Sequence, residues 1–193
     1  MRLLLMGPPG SGKGTQAEHI SKRLHIPAIS TGEILRRNVA EQTLLGREAQ
    51  RYMDRGEYVP DEIMNPMVRN RLDEPDCENG FLLDGYPRTL AQVEVLDSIL
   101  SDAGVQLDRV LVLTVDHEEI VRRLLERAER EGRSDDSEDV VRRRLEVYAE
   151  QTEPLLDVYA QRGLLVLVEG MGPIDEVTER VLGALGDNAD ARS

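Results

Sequence analysis

Residues Gly7 to Thr15 read GPPGSGKGT. Gly7, Gly10 and Gly12 let a chain turn sharply and bring its backbone close to a ligand. Successive amide N–H groups then point inward, and the positive end of a following helix adds to the field, so the stretch suits an anion carrying several phosphates. Lys13 would reach the outer phosphates. The spacing is nearly that of the phosphate-binding loop G-x-x-x-x-G-K-[ST], but Gly14 follows the lysine and the hydroxyl comes one place later, at Thr15. The hydroxyl beside the lysine is a usual ligand for Mg²⁺. Without it, a magnesium ion would be held mainly by phosphates and by water, which it keeps readily. That arrangement favours a second anionic substrate close to the metal, and hence a transferase.

Composition narrows the setting. The chain has 193 residues, 40% hydrophobic and 32% charged, which suits one domain with a full core and small insertions. No apolar run approaches the ~20 residues that span a bilayer. The opening MRLLLM is too short for a signal peptide and runs straight into the glycine-rich loop, so it reads as a buried strand. A single cysteine, Cys77, leaves no internal disulfide and no Cys-rich zinc site, and points to a cytoplasmic home. The net charge of −13 argues against broad binding to nucleic acid or to an anionic membrane, while leaving room for a local basic pocket. Only Lys13 and Lys22 are lysines, against 22 arginines. In so Arg-biased a chain the lysine of the loop is chemically selected, because a compact ammonium fits between phosphate oxygens where a guanidinium would clash.

The elements that must hold this loop follow an alternating pattern. Strands are expected at Arg2–Met6, Ala28–Ser30, Phe81–Asp84, Val110–Val115 and Leu164–Val168, each nearly continuous in apolar residues, as for strands covered on both faces. Helices are expected over 13–24, 31–40, 44–54, 61–72, 89–103, 117–130, 138–148, 152–162 and 174–185. This order predicts an α/β fold with a parallel five-stranded sheet flanked by helices and right-handed crossovers. Two stretches interrupt it. Residues from about Ser30 to Val59 carry several helical turns and no strand, and EREGRSDDSED, Glu129 to Asp139, is highly charged without apolar residues.

The loop GPPGSGKGTQ resembles the opening of adenylate kinases and related nucleoside monophosphate kinases. Further matching blocks follow in order: STGEILR at Ser30–Arg36, GEYVPDE at Gly56–Glu62, NGFLLDGYPRTLAQ at Asn79–Gln92, RLLERAEREGRSDD at Arg123–Asp136 and RRRLEVY at Arg142–Tyr148. The resemblance implies a P-loop NTPase-type sheet with a helical NMP-binding insertion at 30–59 and a short lid at 126–136. The core would then comprise 1–29, 60–125 and 137–193. It implies reversible transfer of the terminal phosphoryl of MgATP to AMP, giving two ADP; a monomer is expected, since two flaps must move freely. Long-lid relatives sometimes carry four metal ligands in the lid; nothing in this sequence could form that site, so no structural zinc is expected.

The same resemblance implies roles for individual residues. Gly10, Ser11, Gly12, Lys13, Gly14 and Thr15 would hold ATP, with Arg127 beside its phosphates and the backbone at Gly172 against its base. Thr31 would face the AMP base and Arg36 its phosphate; Glu57, Tyr58 and Val59 would lie along AMP through their backbone. Related sequences commonly carry leucine where Tyr58 stands, and pyrimidine-preferring relatives carry alanine in place of Thr31. Gly85, Tyr86, Pro87 and Arg88 would bind AMP, Gly85 leaving room for the backbone to approach and Arg88 gripping the phosphate, and Gln92 could pair with adenine, since a side-chain amide has both donor and acceptor. Arg123, Arg127, Arg133 and Arg144 would surround the migrating phosphoryl, with Arg133 and Arg144 also on the AMP side, and Lys13, Arg88 and Asp84 would join the catalytic set. Asp84, at the end of a strand where α/β sheets bind ligands, would hold magnesium-bound water. Asp135 or Asp136 would pair ions in the closed lid, and Arg142 and Arg143 would stay outside the set.

The residues also admit plainer readings. Ser30 or Thr31 is a good helix N-cap with Glu33 in the first turn. Glu119–Arg123, Glu118–Arg122 and Glu126–Arg130 are i,i+4 pairs of a solvated helix. Asp84 could be an N-cap, and GMGP at Gly170–Pro173 a simple turn. His19, His25 and His117 lie in no motif, and a phosphate acceptor is already ionised at neutral pH, so no general base is required. The competing readings are a kinase for UMP, CMP or GMP, which Thr31 and Gln92 discriminate; a GTPase-like switch, whose N-K-x-D motif is absent because neither lysine follows an asparagine; and a structural ATP-binding protein without turnover, disfavoured by Arg88 and the basic cluster. If lid opening limits turnover, stiffening the 126–136 segment by Gly132→Pro should change kcat more than nucleotide affinity; steady-state kinetics showing disrupted affinity with unchanged kcat would contradict this.

Overall fold

β1 (Arg2–Met6) lies at the centre of a five-stranded sheet whose strands all run parallel, in the order β2-β3-β1-β4-β5. The others are β2 (Ala28–Ser30), β3 (Phe81–Asp84), β4 (Arg109–Thr114) and β5 (Leu165–Glu169). The computed structural model describes residues 1–131 and 137–187. The order makes β1 a switch point: the chain leaves it to one side for β2 and β3 and later to the other for β4 and β5. A crevice therefore opens at the carboxyl ends of β1, β3 and β4.

The burial of β1 shows why a run of leucines suits this place. Leu3, Leu4 and Leu5 are all buried, but successive side chains point to opposite faces. Leu3 and Leu5 pack with Ala17 and Ile20 of α1 (Lys13–Leu24) and with Val177 and Val181 of α9 (Ile174–Asp187). Leu4 and Met6 join the larger core on the other face, with Leu83 of β3, Val93 and Leu96 of α5 (Leu90–Asp102) and Leu155 and Tyr159 of α8 (Leu155–Gln161). A smaller cluster of Ile120, Leu124 and Val141 joins α6 (His117–Glu131) to α7 (Glu138–Val147).

The stretch after β2 forms two helices, α2 (Thr31–Ala40) and α3 (Leu44–Met53), followed by α4 (Asp61–Leu72). Ser30 caps α2, its Oγ accepting from the Glu33 amide at 3.4 Å. Thr43 caps α3, accepting from the Gly46 amide at 3.0 Å and donating to Asn38 Oδ1 at 2.8 Å. Gly46 sits where α3 meets the end of α2: a Cβ there would lie 2.0 Å from the Asn38 carbonyl oxygen.

Most expected boundaries agree within a residue or two. The largest difference is before α8, expected from residue 152: a π-helical turn, Tyr148–Thr152, follows α7 directly, and α8 begins only at Leu155. A single 3₁₀ turn, Pro75–Cys77, precedes β3. Cys77 is free and buried, and burial pushes its thiol up to about 11. Among the described residues no helix is long and apolar enough to cross a membrane. Positions 132–136 of the expected lid, with Arg133, Asp135 and Asp136, lie outside the described residues.

The α2–α3 contact is a steric test of this arrangement. Gly46→Ala should lower the unfolding free energy by about 1–3 kcal/mol through overpacking against Asn38, read from urea denaturation; an unchanged midpoint and slope would contradict it.

Candidate active site

A cleft of about 670 Å³ opens at the carboxyl end of the sheet, within the size range of ligand sites. One wall is the loop between β1 and α1; others come from α2, the 56–59 segment, the end of β3, α6, α7 and the turn after β5. Gly7, Gly10 and Gly12 all have positive φ, the backbone form that glycine adopts without penalty. Gly12 is the N-cap of α1, so the loop ends on the positive end of that helix.

Lys13 folds back into the loop. Its Nζ donates to the Gly7 carbonyl at 2.7 Å and to the Pro8 carbonyl at 2.9 Å. Loss of water around the ammonium lowers its pKa to about 8; Asp84 opposes the shift, while Arg88, Arg144 and Arg127 add to it. The cleft thus concentrates positive charge in a protein of net charge −13. Ser11 Oγ is buried without a hydrogen-bond partner.

Asp84 ends β3 beside this loop. Ser30 Oγ donates to its Oδ2 at 3.4 Å, whereas the buried Oδ1 has no partner. The next residue, Gly85, has φ +83°, and a Cβ there would meet Thr31 Oγ1 at 2.6 Å and Arg88 Nη2 at 3.0 Å. The missing side chain therefore admits protein atoms. Thr31 is fully buried and donates to the Asp84 carbonyl at 3.3 Å; it lies beneath the cleft wall and does not line it.

Arg88 is held on several sides. Its amide donates to Gln92 Oε1 at 2.7 Å, its Nε donates to the Gly85 carbonyl at 2.7 Å, and its carbonyl accepts from Thr152 Oγ1 at 2.9 Å. Its guanidinium carbon stands 4.9 Å from the centre of the Tyr58 ring. The Nη atoms remain the part of the side chain not used in those bonds. Gln92 is more engaged than its sequence position suggests, since Nε2 also donates to Asp61 Oδ1 at 2.6 Å. One acceptor site on Oε1 and one proton on Nε2 remain. Tyr86 is buried, its hydroxyl donating to Asn65 Oδ1 at 2.8 Å, and it precedes Pro87 through a cis peptide bond.

On the opposite wall Arg123 spans two loops. Nη2 donates to the Gly170 carbonyl at 3.1 Å, Nη1 reaches the Ser11 carbonyl at 3.5 Å, and Nε donates to Glu119 at 2.7 Å. Hydrogen bonds from Arg122 and Arg123 hold the Glu119 carboxyl down at about 2. Of the expected i,i+4 pairs Glu119–Arg123 forms, whereas Arg122 pairs with Glu119 and Glu126, not with Glu118; the Arg130 side chain of the expected Glu126–Arg130 pair lies outside the described residues. A carboxylate one residue on can be shared by both arginines, which a strict i,i+4 rule misses. Arg127 and Arg144 line the same cleft, as do Arg36, Glu57, Val59, Gly14 and Thr15. Arg142 and Arg143 instead pair with Glu138 and Glu146 at the surface.

The turn after β5 is braced from behind. Gly172 has φ +102°. Arg180 donates to the carbonyls of Glu169 and Met171, the latter at 2.7 Å. Gln16 Nε2 donates to the Ile174 carbonyl at 3.0 Å and its Oε1 accepts from Thr178 at 2.8 Å. None of His19, His25 and His117 lines the cleft. Thr152, Tyr148 and Glu119 do line it, and none of the three is a site residue by sequence. Glu119 was visible only as an ion-pair partner; Thr152 depends on the π-helical turn, which carries no motif.

Known proteins with similar sequences fit this geometry. Residues 5–164 match the family model described as adenylate kinase. An adenylate kinase of Nocardioides sp. is 63% identical over 96% of this chain and 97% of its own length. One from Kocuria rhizophila is 61% identical over 95% of this chain and 98% of its own. One from Thermobifida fusca is 58% identical over 98% of this chain and all of its own. Taken with the phosphate loop and the arginine-lined cleft, these matches establish that the chain belongs to the adenylate kinase family.

Proposed function

We propose that this cleft binds ATP and AMP together and carries out the family's reaction, reversible transfer of the terminal phosphoryl of ATP to AMP to give two ADP. The observation that carries this reading is the convergence of Lys13, Arg88, Arg123, Arg127 and Arg144 on one cleft, beside a loop built for polyphosphate. The ATP phosphates lie against Gly10–Thr15, with Arg123 and Arg127 on their outer side and the base against the backbone at Gly172. AMP lies toward Arg36, the Glu57–Val59 backbone and Gly85–Arg88, with Gln92 at its base through the two hydrogen-bond positions still open. Thr31 acts on that pocket from underneath, by setting the position of Gly85.

The chemistry asked of the protein is positioning and charge neutralisation. The AMP phosphate is already an anionic nucleophile, so no side chain needs to take a proton from it. In-line transfer passes through a loose transition state with charge on the equatorial oxygens, which Lys13 and the arginines stabilise. Closure of the 30–59 insertion and of the 126–136 lid, including Arg133, would exclude water as a competing acceptor.

Magnesium fits the residues present. The buried, unpartnered Oδ1 of Asp84 offers an acceptor for water on such an ion, and Gly14 beside Lys13 leaves the phosphates and water as its main ligands. When bound with ATP, the ion neutralises charge on the phosphate oxygens. Among the described residues no group of three or more His, Cys, Asp or Glu gathers as a metal site. We further propose a monomer in the cytoplasm, because two segments must move freely and the chain has a single buried cysteine.

Phosphorus NMR of the protein with MgATP and AMP, CMP, UMP or GMP in turn tests the reading. ADP should form rapidly with AMP alone; comparable product from CMP or UMP would move the acceptor to a pyrimidine nucleotide. Lys13 supplies a second test. Phosphate anions beside its ammonium should raise its pKa from about 8. The contribution of Lys13 to ATP affinity is then full below pH 8 and falls as pH rises beyond it. Binding should take up almost no proton at about pH 6.5 and approach one proton per ATP at about pH 9. Calorimetry in buffers of different ionisation enthalpy measures this, and a pH-independent count would contradict it.

A further inference from the structure

We propose that Tyr58 and Thr152 form a hydroxyl relay that positions Arg88 for the acceptor phosphate and ties the AMP-side segment to the π-helical turn after α7. This rests on the reading of Arg88 as an AMP phosphate ligand. The two hydroxyls are 2.6 Å apart, and Thr152 Oγ1 is 2.9 Å from the Arg88 carbonyl oxygen. A carbonyl can only accept, so the single proton of Thr152 goes to Arg88. Tyr58 must then donate to Thr152. The direction of the relay is thereby set: Tyr58 O–H to Thr152 Oγ1, and Thr152 O–H to the Arg88 carbonyl.

The relay also fixes a ring. With its hydroxyl anchored, the Tyr58 ring is held 4.9 Å from the guanidinium carbon of Arg88, within reach of a cation–π attraction. Together with the bonds to Gly85 and Gln92, this confines the side chain from its amide to its Nε and leaves the Nη atoms for a ligand. Thr152 is buried, 4% exposed, at the edge of the cleft it helps to line. It stands in the π-helical turn Tyr148–Thr152. Such turns displace the helix by one residue, and they recur at functional sites. Here the turn follows α7, which carries Arg144 into the same cleft. A leucine at position 58 would offer neither hydroxyl nor ring, so the relay depends on the tyrosine of this chain. Tyr58 and Thr152 are positioning residues: they act on AMP through Arg88.

The test is a kinetic cycle on the full chain with Tyr58→Phe, Thr152→Val and the double variant, each checked by thermal melting, alongside Arg88→Lys. Tyr58→Phe should raise KM for AMP about three- to tenfold, the range for one lost neutral hydrogen bond, with KM for ATP unchanged and kcat within about twofold. Tyr58→Leu should raise it further, because the ring contact is lost as well. The double variant should be no worse than Thr152→Val alone, since both changes break one chain. An additive double variant, equal losses for both nucleotides, or an AMP KM for Tyr58→Phe within twofold of the native value would overturn the relay. If Arg88→Lys weakens AMP and Tyr58→Phe does not, the relay alone fails. If Arg88→Lys leaves AMP binding untouched, the reading of Arg88 and the relay fail together.

Discussion

Positive charge gathered in one cleft governs this structure. Lys13 is partly withdrawn from water by the glycine-rich loop and faces three arginines, in a chain that is strongly acidic overall. Withdrawing a cation from water is costly, and neutral dipoles offset that cost. The Gly7 and Pro8 carbonyls take the ammonium, and one carboxylate, Asp84, provides the nearest opposing charge. The cleft therefore concentrates positive charge at the carboxyl end of the sheet. In the proposed reaction a polyphosphate would supply the opposing charge, so that binding and charge balance would be one event.

The arginines around it divide their atoms between two tasks. Arg123 uses most of its guanidinium to join the Ser11 and Gly170 carbonyls and Glu119, so it fastens the phosphate loop to the turn after β5. Arg88 uses its backbone and Nε to fasten itself and keeps its outer nitrogens. A planar guanidinium with five donors allows this division; an ammonium on a flexible stem would not. The scarcity of lysine in the chain is consistent with that demand, and the one lysine in the cleft stands where a point charge is wanted.

Much of the architecture was legible in the residues, and the reason is local. β1, β2 and β3 were bounded to the residue because each is a short apolar run abutting a glycine-rich turn or a helix cap. β4 begins one residue earlier than expected, at Arg109, since register with Leu3 of β1 decides the end, not hydropathy. The phosphate loop was legible because spacing, glycines and lysine all serve one purpose. Less legible were features made by distant residues. Nothing local shows that Thr31 lies under Gly85 and not in the cleft wall, that Asp61 takes one end of the Gln92 amide, or that a π-helical turn brings Thr152 to Arg88. Each depends on two segments far apart in the chain meeting at the end of β3.

The buried state of Cys77 has a practical side. Its thiol lies well above the ordinary range, so the reactive thiolate is scarce near neutrality. Maleimide chemistry would then favour any cysteine newly placed on an outward face over the native one. A dye or spin label could be put on α3 and another on α6 without first deleting the native sulfur, turning the width of the crevice into a distance read directly in solution.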